Sequence, residues 1–161
     1  MTLLVPFDAS ELAEAALIRA TEFGAVFENP VLAVSVIPKG DKKYAREQGW
    51  LGPNEEYDLQ TIVSTLRGQV AKLCPSANFR HVVADRYASS GVISKRLRKL
   101  AKREDAAMVF IGSENAGRIV AGISSVGAGV ATDTAYDVVI VRHRAPAKIK
   151  KLRQNSPREG Q

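Results

Sequence analysis

The chain has 161 residues, 45% of them apolar and 25% charged, which fits one domain with room for a core and is ordinary for a soluble globular protein. No apolar run approaches the roughly 18 residues of a membrane span, and the opening residues resemble a strand rather than a signal peptide, so no membrane association is expected. A single cysteine, Cys74, excludes an intrachain disulfide framework and favours the cytoplasm, while the net charge of +6 raises the question of an anionic partner.

The first half of the chain predicts two buried strands and two amphipathic helices. The strands are short apolar runs, and the helices carry apolar residues at three- and four-residue steps. Ser10 is placed to cap the first helix, and Gly24 is expected to end it. The polar stretch 38–58 is predicted to be mainly loop, anchored by Trp50 and Leu51. The predicted elements are a strand over Leu3–Pro6, a helix over 10–24, a strand over Val31–Ile37 and a helix over Ile62–Leu73.

The second half continues the same alternation of strand and helix. A glycine-rich loop over 112–123 separates two of these elements, and polar residues with two prolines follow His143. We therefore expect a domain over 1–143 and a basic, disordered tail over 144–161. The remaining elements are a strand over Phe79–Ala84, a helix over Ile93–Ala101, a strand over Met108–Ile111, a helix from Ser124 or Ser125 to Ala135, and a strand over Val138–Val141.

Strict alternation of this kind predicts an α/β fold: a five-stranded parallel sheet with helices on both faces, of the Rossmann-like nucleotide-binding type. Ligands of such sheets bind beyond the carboxyl ends of the strands, where the strand order reverses. Asp8, directly after the first strand, and Gly112, directly after the fourth, are expected at that edge.

The positive charge is concentrated in two segments, one on the third predicted long helix and one in the tail. The simplest interpretation is a solvated helix face and a disordered end. No aromatic residues are interleaved with these charges to stack on bases, so nucleic acid is not the expected partner. Contact of these two segments with nucleic acid or an acidic partner is a minor alternative. The helix cluster consists of Lys95, Arg96, Arg98, Lys99, Lys102 and Arg103.

Three segments together resemble the universal stress protein family. Residues 3–11, Leu-Leu-Val-Pro-Phe-Asp-Ala-Ser-Glu, are similar to the family's first strand and turn; Ile111-Gly112-Ser113 is similar to the end of its fourth strand. Ser125-Val126 and 137–142 are similar to its closing G-S-V and last strand. The resemblance covers residues 3–142 and implies an adenine-nucleotide-alpha-hydrolase-like fold and a homodimer paired through strand 138–141.

Nucleotide-binding members of the family carry G-x-x-G and then, after a spacer, G-S or G-T. Gly112 matches the first glycine, but Asn115 stands at the second position and Ser124 at the third, with Gly117 close by and a shorter spacer. Asparagine tolerates left-handed backbone, and Ser124 still offers an N–H group and a hydroxyl to a phosphate. Ser125 and the adjacent Val126 complete the implied phosphate loop; the other interpretation is a closely packed glycine-bearing segment without a ligand.

The resemblance places further ligand contacts at the ends of the strands. Asp8 would accept a hydrogen bond from a ribose hydroxyl, or else form a helix cap or Asx turn. Val36 would present backbone groups to adenine, or else be only a buried strand residue. Pro6 and Phe7 would line the pocket or only pack, and Ile111 would contact the ligand from the fourth strand.

No pattern of catalytic residues stands out: there is no G-x-S-x-G or G-x-x-x-x-G-K-[ST] motif, and His81 and His143 are too far apart in the chain to suggest a metal site. The expectation is a cytoplasmic stress-response dimer that binds ATP or AMP, with Mg²⁺ accompanying ATP, and acts on a protein partner the sequence does not identify. The alternatives are a nucleotide-independent dimeric interaction protein with an altered phosphate loop and a weak ATPase.

Overall fold

The computed structural model describes residues 1–113 and 136–143. These residues form five strands and four helices, with two consecutive helices between the second and third strands. The strands are β1 (Thr2–Pro6), β2 (Val31–Pro38), β3 (Asn78–Ala84), β4 (Ala106–Gly112) and β5 (Asp137–Val141); the helices are α1 (Glu11–Phe27), α2 (Lys42–Glu47), α3 (Leu59–Leu73) and α4 (Ser90–Arg103).

All neighbouring strands of the sheet are parallel, and their order is β3-β2-β1-β4-β5. The predicted five-stranded parallel α/β fold is therefore confirmed. β1 lies at the centre between β2 and β4, and β5 occupies an edge, as does β3.

Helices cover both faces of the sheet, as the alternation predicts. On β1, Leu3 and Val5 pack in one core with residues of α1 and α3, whereas Leu4 packs in a second core with residues of α4. This division follows from the two-residue period of a strand, which directs successive side chains to opposite faces. β2 is buried along its whole length, as expected for a central parallel strand.

The predicted end of the first helix was wrong. Gly24 lies inside α1, and the helix continues to Phe27 with Glu28 as its C-cap in the left-handed conformation. The glycine serves close packing instead, because a Cβ there would stand 2.6 Å from the carbonyl oxygen of Asn29 and 3.1 Å from Cγ2 of Val31. Gly24 is therefore needed where the last turn of α1 packs against the start of β2, and it is not the residue that ends the helix.

The stretch 38–58 is not loop throughout, since it contains the short helix α2, capped by the Asp41 side chain, which accepts a hydrogen bond from the Tyr44 N–H group. Six residues carry too little apolar periodicity to reveal a helix in the sequence. The expected anchors are confirmed, because Trp50 and Leu51 are each only 5% exposed and belong to the core beneath α1 and α3. Gly112, predicted to begin the glycine-rich loop, belongs to β4 instead. Residues 114–123 of that loop, the helix predicted after it and the tail 144–161 lie outside the described residues.

Candidate functional site at the carboxyl ends of the strands

The strand order reverses at β1, which has the next strand in sequence, β2, on one side and β4 on the other. Connections that leave neighbouring strands in opposite directions open a crevice at the carboxyl edge of such a sheet. Phe7 and Asp8 follow β1 at this edge, and Gly112 ends β4 beside them. The structure therefore brings the predicted residues of the first and fourth strands to the edge where ligands of this architecture bind.

The turn from β1 into α1 has a tightly specified backbone. The Phe7 N–H group continues the sheet by donating to the Val34 carbonyl at 2.7 Å, and Asp8 Oδ1 accepts from the Ser10 N–H group at 2.9 Å. Between them, Ala9 has a φ of +68°, a conformation that costs an alanine about 1 kcal/mol or more. Ser10 Oγ then caps α1 by accepting from the Ala13 N–H group at 3.2 Å. Asp8 thus forms an Asx turn, the structural role that the sequence left open beside ligand binding.

Close packing at the end of β4 requires a residue without a Cβ at position 112. A Cβ at this position would lie 2.8 Å from Cβ of Leu12, 3.0 Å from its carbonyl carbon and 3.2 Å from its carbonyl oxygen. The end of β4 therefore touches the first turn of α1, which brings the backbones of the two connections together. A bulky substitution at Gly112 would displace α1, so loss of binding in a Gly112→Val variant could not be assigned to a lost ligand contact.

The remaining described site residues are buried strand positions. The side chains of Val36 and Ile111 belong to the core on the α4 side of the sheet, and Phe7 is buried on the opposite side. Pro6 pairs with Val34 in the sheet and is also buried. These side chains are enclosed in the protein, so the contact that the resemblance implies for Val36, through backbone groups, stays a prediction. Asn115, Gly117, Ser124, Ser125 and Val126, which would form the phosphate loop, lie outside the described residues.

Two further residues, neither predicted from the sequence to contact the β1–α1 turn, donate hydrogen bonds to its carbonyl oxygens. Trp50 Nε1–H donates to the Asp8 carbonyl oxygen at 2.9 Å, across 42 positions of the chain. Ser35 is fully buried on β2, and its hydroxyl donates to the Phe7 carbonyl oxygen. A serine within an otherwise apolar buried strand was the sequence signal for the second contact, because a buried hydroxyl needs a partner. Trp50 was recognised as an anchor, but only the fold shows what it holds.

A cleft of about 440 Å³ opens beyond the ends of β2 and β3, and none of the described site residues predicted from the sequence lines it. Its cations are already engaged with protein groups: Lys42 Nζ lies 2.8 Å from Glu56 Oε2, and Arg86 donates twice to the Gly40 carbonyl oxygen. We therefore place the candidate site at β1 and β4, where the strand order reverses, and not in this cleft. The cleft is lined by Gly40, Asp41, Lys42, Lys43, Arg46, Glu47, Arg86 and Tyr87.

Residues 1–113 and 136–143 contain neither a clustered set of metal ligands nor a membrane-crossing helix. No group of three or more histidine, cysteine, aspartate or glutamate side chains is arranged there to hold a metal ion. In the same part of the chain, no helix combines the length and apolar character needed to cross a membrane.

The model of the universal stress protein family matches residues 1–142 of the chain. The chain belongs to this family. The match covers the whole of the described fold, from β1 to the end of β5, and it confirms the resemblance carried by the first turn, the end of β4 and the last strand.

Solved structures of universal stress proteins share the fold at low sequence identity. One in complex with cAMP is 21% identical, with a TM-score of 0.54 over 90% of this chain and 98% of that chain. One from Archaeoglobus fulgidus in complex with dAMP is 17% identical, with a TM-score of 0.50 over 88% and 96% of the two chains. A family member from Burkholderia pseudomallei is 17% identical, with a TM-score of 0.51 over 88% and 96%. No curated protein matches the chain by sequence.

Proposed function

We propose that this universal stress protein is a cytoplasmic regulatory protein that binds an adenine nucleotide, ATP or AMP, at the carboxyl ends of β1, β2 and β4. The observation that carries the proposal is the close approach of Gly112 to Leu12, in the helix turn that follows Asp8, where the strand order reverses. Family relatives have been solved with cAMP and dAMP, which supports an adenine nucleotide as the ligand class.

The described residues suggest how the ligand is held. The Asp8 carboxylate is positioned by the turn between β1 and α1 and would accept hydrogen bonds from ribose hydroxyls. Backbone groups of Val36 would meet the adenine edge. Gly112, Asn115, Gly117, Ser124, Ser125 and Val126 would supply N–H groups to the phosphates, and Mg²⁺ would accompany ATP.

Thermal unfolding with Mg-ATP, AMP and GTP tests the proposal. A ligand specific to the folded state, present at about 100 times its dissociation constant, adds about 2.7 kcal/mol, which corresponds to roughly 5–10 °C in a chain of this size. We expect this rise with an adenine nucleotide and a smaller one with GTP. No rise with any nucleotide would favour the alternative motivated by Asn115 and Ser124, a nucleotide-independent interaction protein.

Two variants of the same turn separate ligand contact from turn stability. Asp8→Ala removes the Asx turn and the carboxylate, whereas Ser10→Ala removes only the α1 cap. Each is expected to lower the stability of the unliganded protein by about 1 kcal/mol, but only Asp8→Ala should abolish the nucleotide-dependent rise. An equal rise in both variants would remove Asp8 from the site. Phosphate release that depends on Asp8 would instead support the weak-ATPase alternative.

The proposal includes a homodimer paired through strand 138–141. β5 is an edge strand, and an exposed edge offers unpaired backbone groups to a second strand. Val138 on this strand is 36% exposed, and Val92 on α4, at 43%, provides a matched control on another surface. Val138→Lys should give a folded monomer in sedimentation, and Val92→Lys should leave the dimer intact. A dimer that persists in Val138→Lys would contradict pairing at this edge.

A further inference from the structure

The helix α4 has an unusual charge pattern that the proposed function does not use. Six of the residues between positions 95 and 103 are lysine or arginine, and the helix contains no aspartate or glutamate. Leu97, Leu100 and Ala101 are buried against the sheet, so the cations occupy the opposite, outward side. Five of the six are exposed and Arg98 is half-buried.

Ordinary helix electrostatics explains only part of this pattern. Lys102 and Arg103 lie in the last turn, where cations interact favourably with the helix dipole. The other four lie outside that turn. Like charges three or four positions apart, as in Lys95 with Lys99, destabilise a helix by a few tenths of a kcal/mol per pair. The helix therefore carries repulsion that its dipole does not offset.

In the described part of the chain, Arg96 donates a hydrogen bond to the Val83 carbonyl oxygen, and carboxylates do not pair with three other cations of the cluster. The adjacent acid at the C-terminus of α4, Glu104, pairs with Arg80 of β3 instead. Among residues 1–113 and 136–143, no carboxylate forms an ion pair with Lys95, Arg98 or Lys99. A partner that brings negative charge to this face would relieve the repulsion.

The spacing of the charges indicates the kind of partner. From residue 95 to residue 103 a helix rises about 12 Å, so the six cations stand at roughly one per 2 Å of helix axis. Duplex DNA carries about one phosphate charge per 1.7 Å of its own axis. α4 contains no aromatic residue, which argues against stacking on the bases of single strands but leaves contact with phosphates unaffected.

We propose that the outward face of α4, formed by Lys95, Arg96, Arg98, Lys99, Lys102 and Arg103, binds the phosphodiester backbone of double-stranded nucleic acid without regard to sequence. This inference does not depend on nucleotide binding at the carboxyl edge, because α4 contributes none of the residues assigned to that site.

Fluorescence anisotropy with the full chain and a labelled DNA duplex of mixed sequence tests the proposal. If four cations contact phosphates, affinity should fall about 100-fold between about 50 and 200 mM salt. Lys95→Gln/Lys99→Gln should weaken binding at low salt and reduce the salt-dependent fall to about 10-fold, since two contacts are lost. The same change made on two other helices, Lys43→Gln on α2 with Lys72→Gln on α3, alters the net charge equally and should leave both quantities unchanged.

Several outcomes would overturn the proposal. Absence of binding by the wild-type chain at low salt would contradict it. An equal loss of affinity in both double variants would also contradict it, because binding would then depend on net charge alone. Binding that is unchanged in Lys95→Gln/Lys99→Gln but lost on removal of residues 144–161 would move the site to the tail. Displacement of the duplex by polyglutamate at the same concentration of negative charge would contradict a preference for phosphates. The partner of this face would then be an acidic protein segment. Thermal unfolding is the folding control, and the α4 variant should be at least as stable as wild type because like-charge pairs are removed.

Discussion

The indole of Trp50 donates a hydrogen bond to the carbonyl oxygen of Asp8 at 2.9 Å, fastening the segment between β2 and α3 to the turn that follows β1. The ring is 5% exposed and meets Tyr44 edge-on, with ring centroids 5.6 Å apart. The backbone of a predicted ligand contact is thus held by a residue from a segment with little recognisable structure in its sequence.

Trp50→Phe should remove this hydrogen bond together with part of the ring packing. Phenylalanine retains an aromatic ring beside Tyr44 but leaves the Asp8 carbonyl without the indole donor, so we expect a loss of about 1–3 kcal/mol in the free energy of unfolding. Urea unfolding monitored by circular dichroism measures this loss. Tryptophan fluorescence cannot serve, because Trp50 is the only tryptophan and the variant lacks it. Tyr57→Phe removes a longer bond, 3.2 Å from the hydroxyl to the Pro38 carbonyl, at a half-buried site and should cost less. Equal losses of unfolding free energy in the two variants would show that the bond to Asp8 stabilises the protein no more than the bond to Pro38.

Ser35→Ala should also destabilise the β1–α1 turn. The serine hydroxyl is fully buried and donates to the Phe7 carbonyl oxygen, so the alanine variant leaves that carbonyl without this donor. We expect about 1–3 kcal/mol less stability, measured by urea unfolding. Ser64→Ala, at an exposed position of α3, is the matched control and should change stability by less than about 0.5 kcal/mol. A loss in Ser35→Ala no larger than in the control would contradict the structural role of this bond.

Two glycine-to-alanine substitutions should have opposite signs. Gly112→Ala places a Cβ 2.8 Å from Cβ of Leu12 and should destabilise the protein by about 1–3 kcal/mol. Gly68→Ala lies within α3, where a Cβ meets nothing within 4 Å, and should stabilise it by about 0.5–1 kcal/mol through helix propensity. Chemical unfolding of the two variants checks both signs. A neutral Gly112→Ala would mean that the end of β4 and α1 can separate without cost.

The Cys74 thiol should become a pH-dependent element of stability. Burial raises its pKa, with the Thr21 side-chain hydrogen bond acting in the opposite direction. A pKa raised in the folded state gives stability that is fully present below the unfolded thiol's pKa and lost as the pH rises through the folded value. We therefore expect the urea midpoint of the wild type to fall more steeply above about pH 8.5 than that of Cys74→Ala. Parallel pH profiles would contradict this effect.

The sequence by itself determined the alternation of strands and helices, because each buried strand is a short apolar run and each long helix carries a three- to four-residue apolar period. It also placed Asp8 and Gly112 after the strands that proved to be neighbours, and the family motifs that it carries over 3–142 were confirmed by the match over 1–142. These features are local, so neighbouring residues suffice to specify them.

Only the tertiary structure decided what depends on contacts between distant parts of the chain. Gly24 was predicted on local grounds to end a helix, but it lies inside α1, where the absence of a Cβ lets the helix approach Asn29 and Val31. Gly112 makes room for Leu12, a residue 100 positions earlier. α2 was too short to predict, and the bond from Trp50 to Asp8 joins residues that no local pattern relates. A sequence records which residues have apolar side chains or no Cβ, whereas the folded chain determines which atoms they meet.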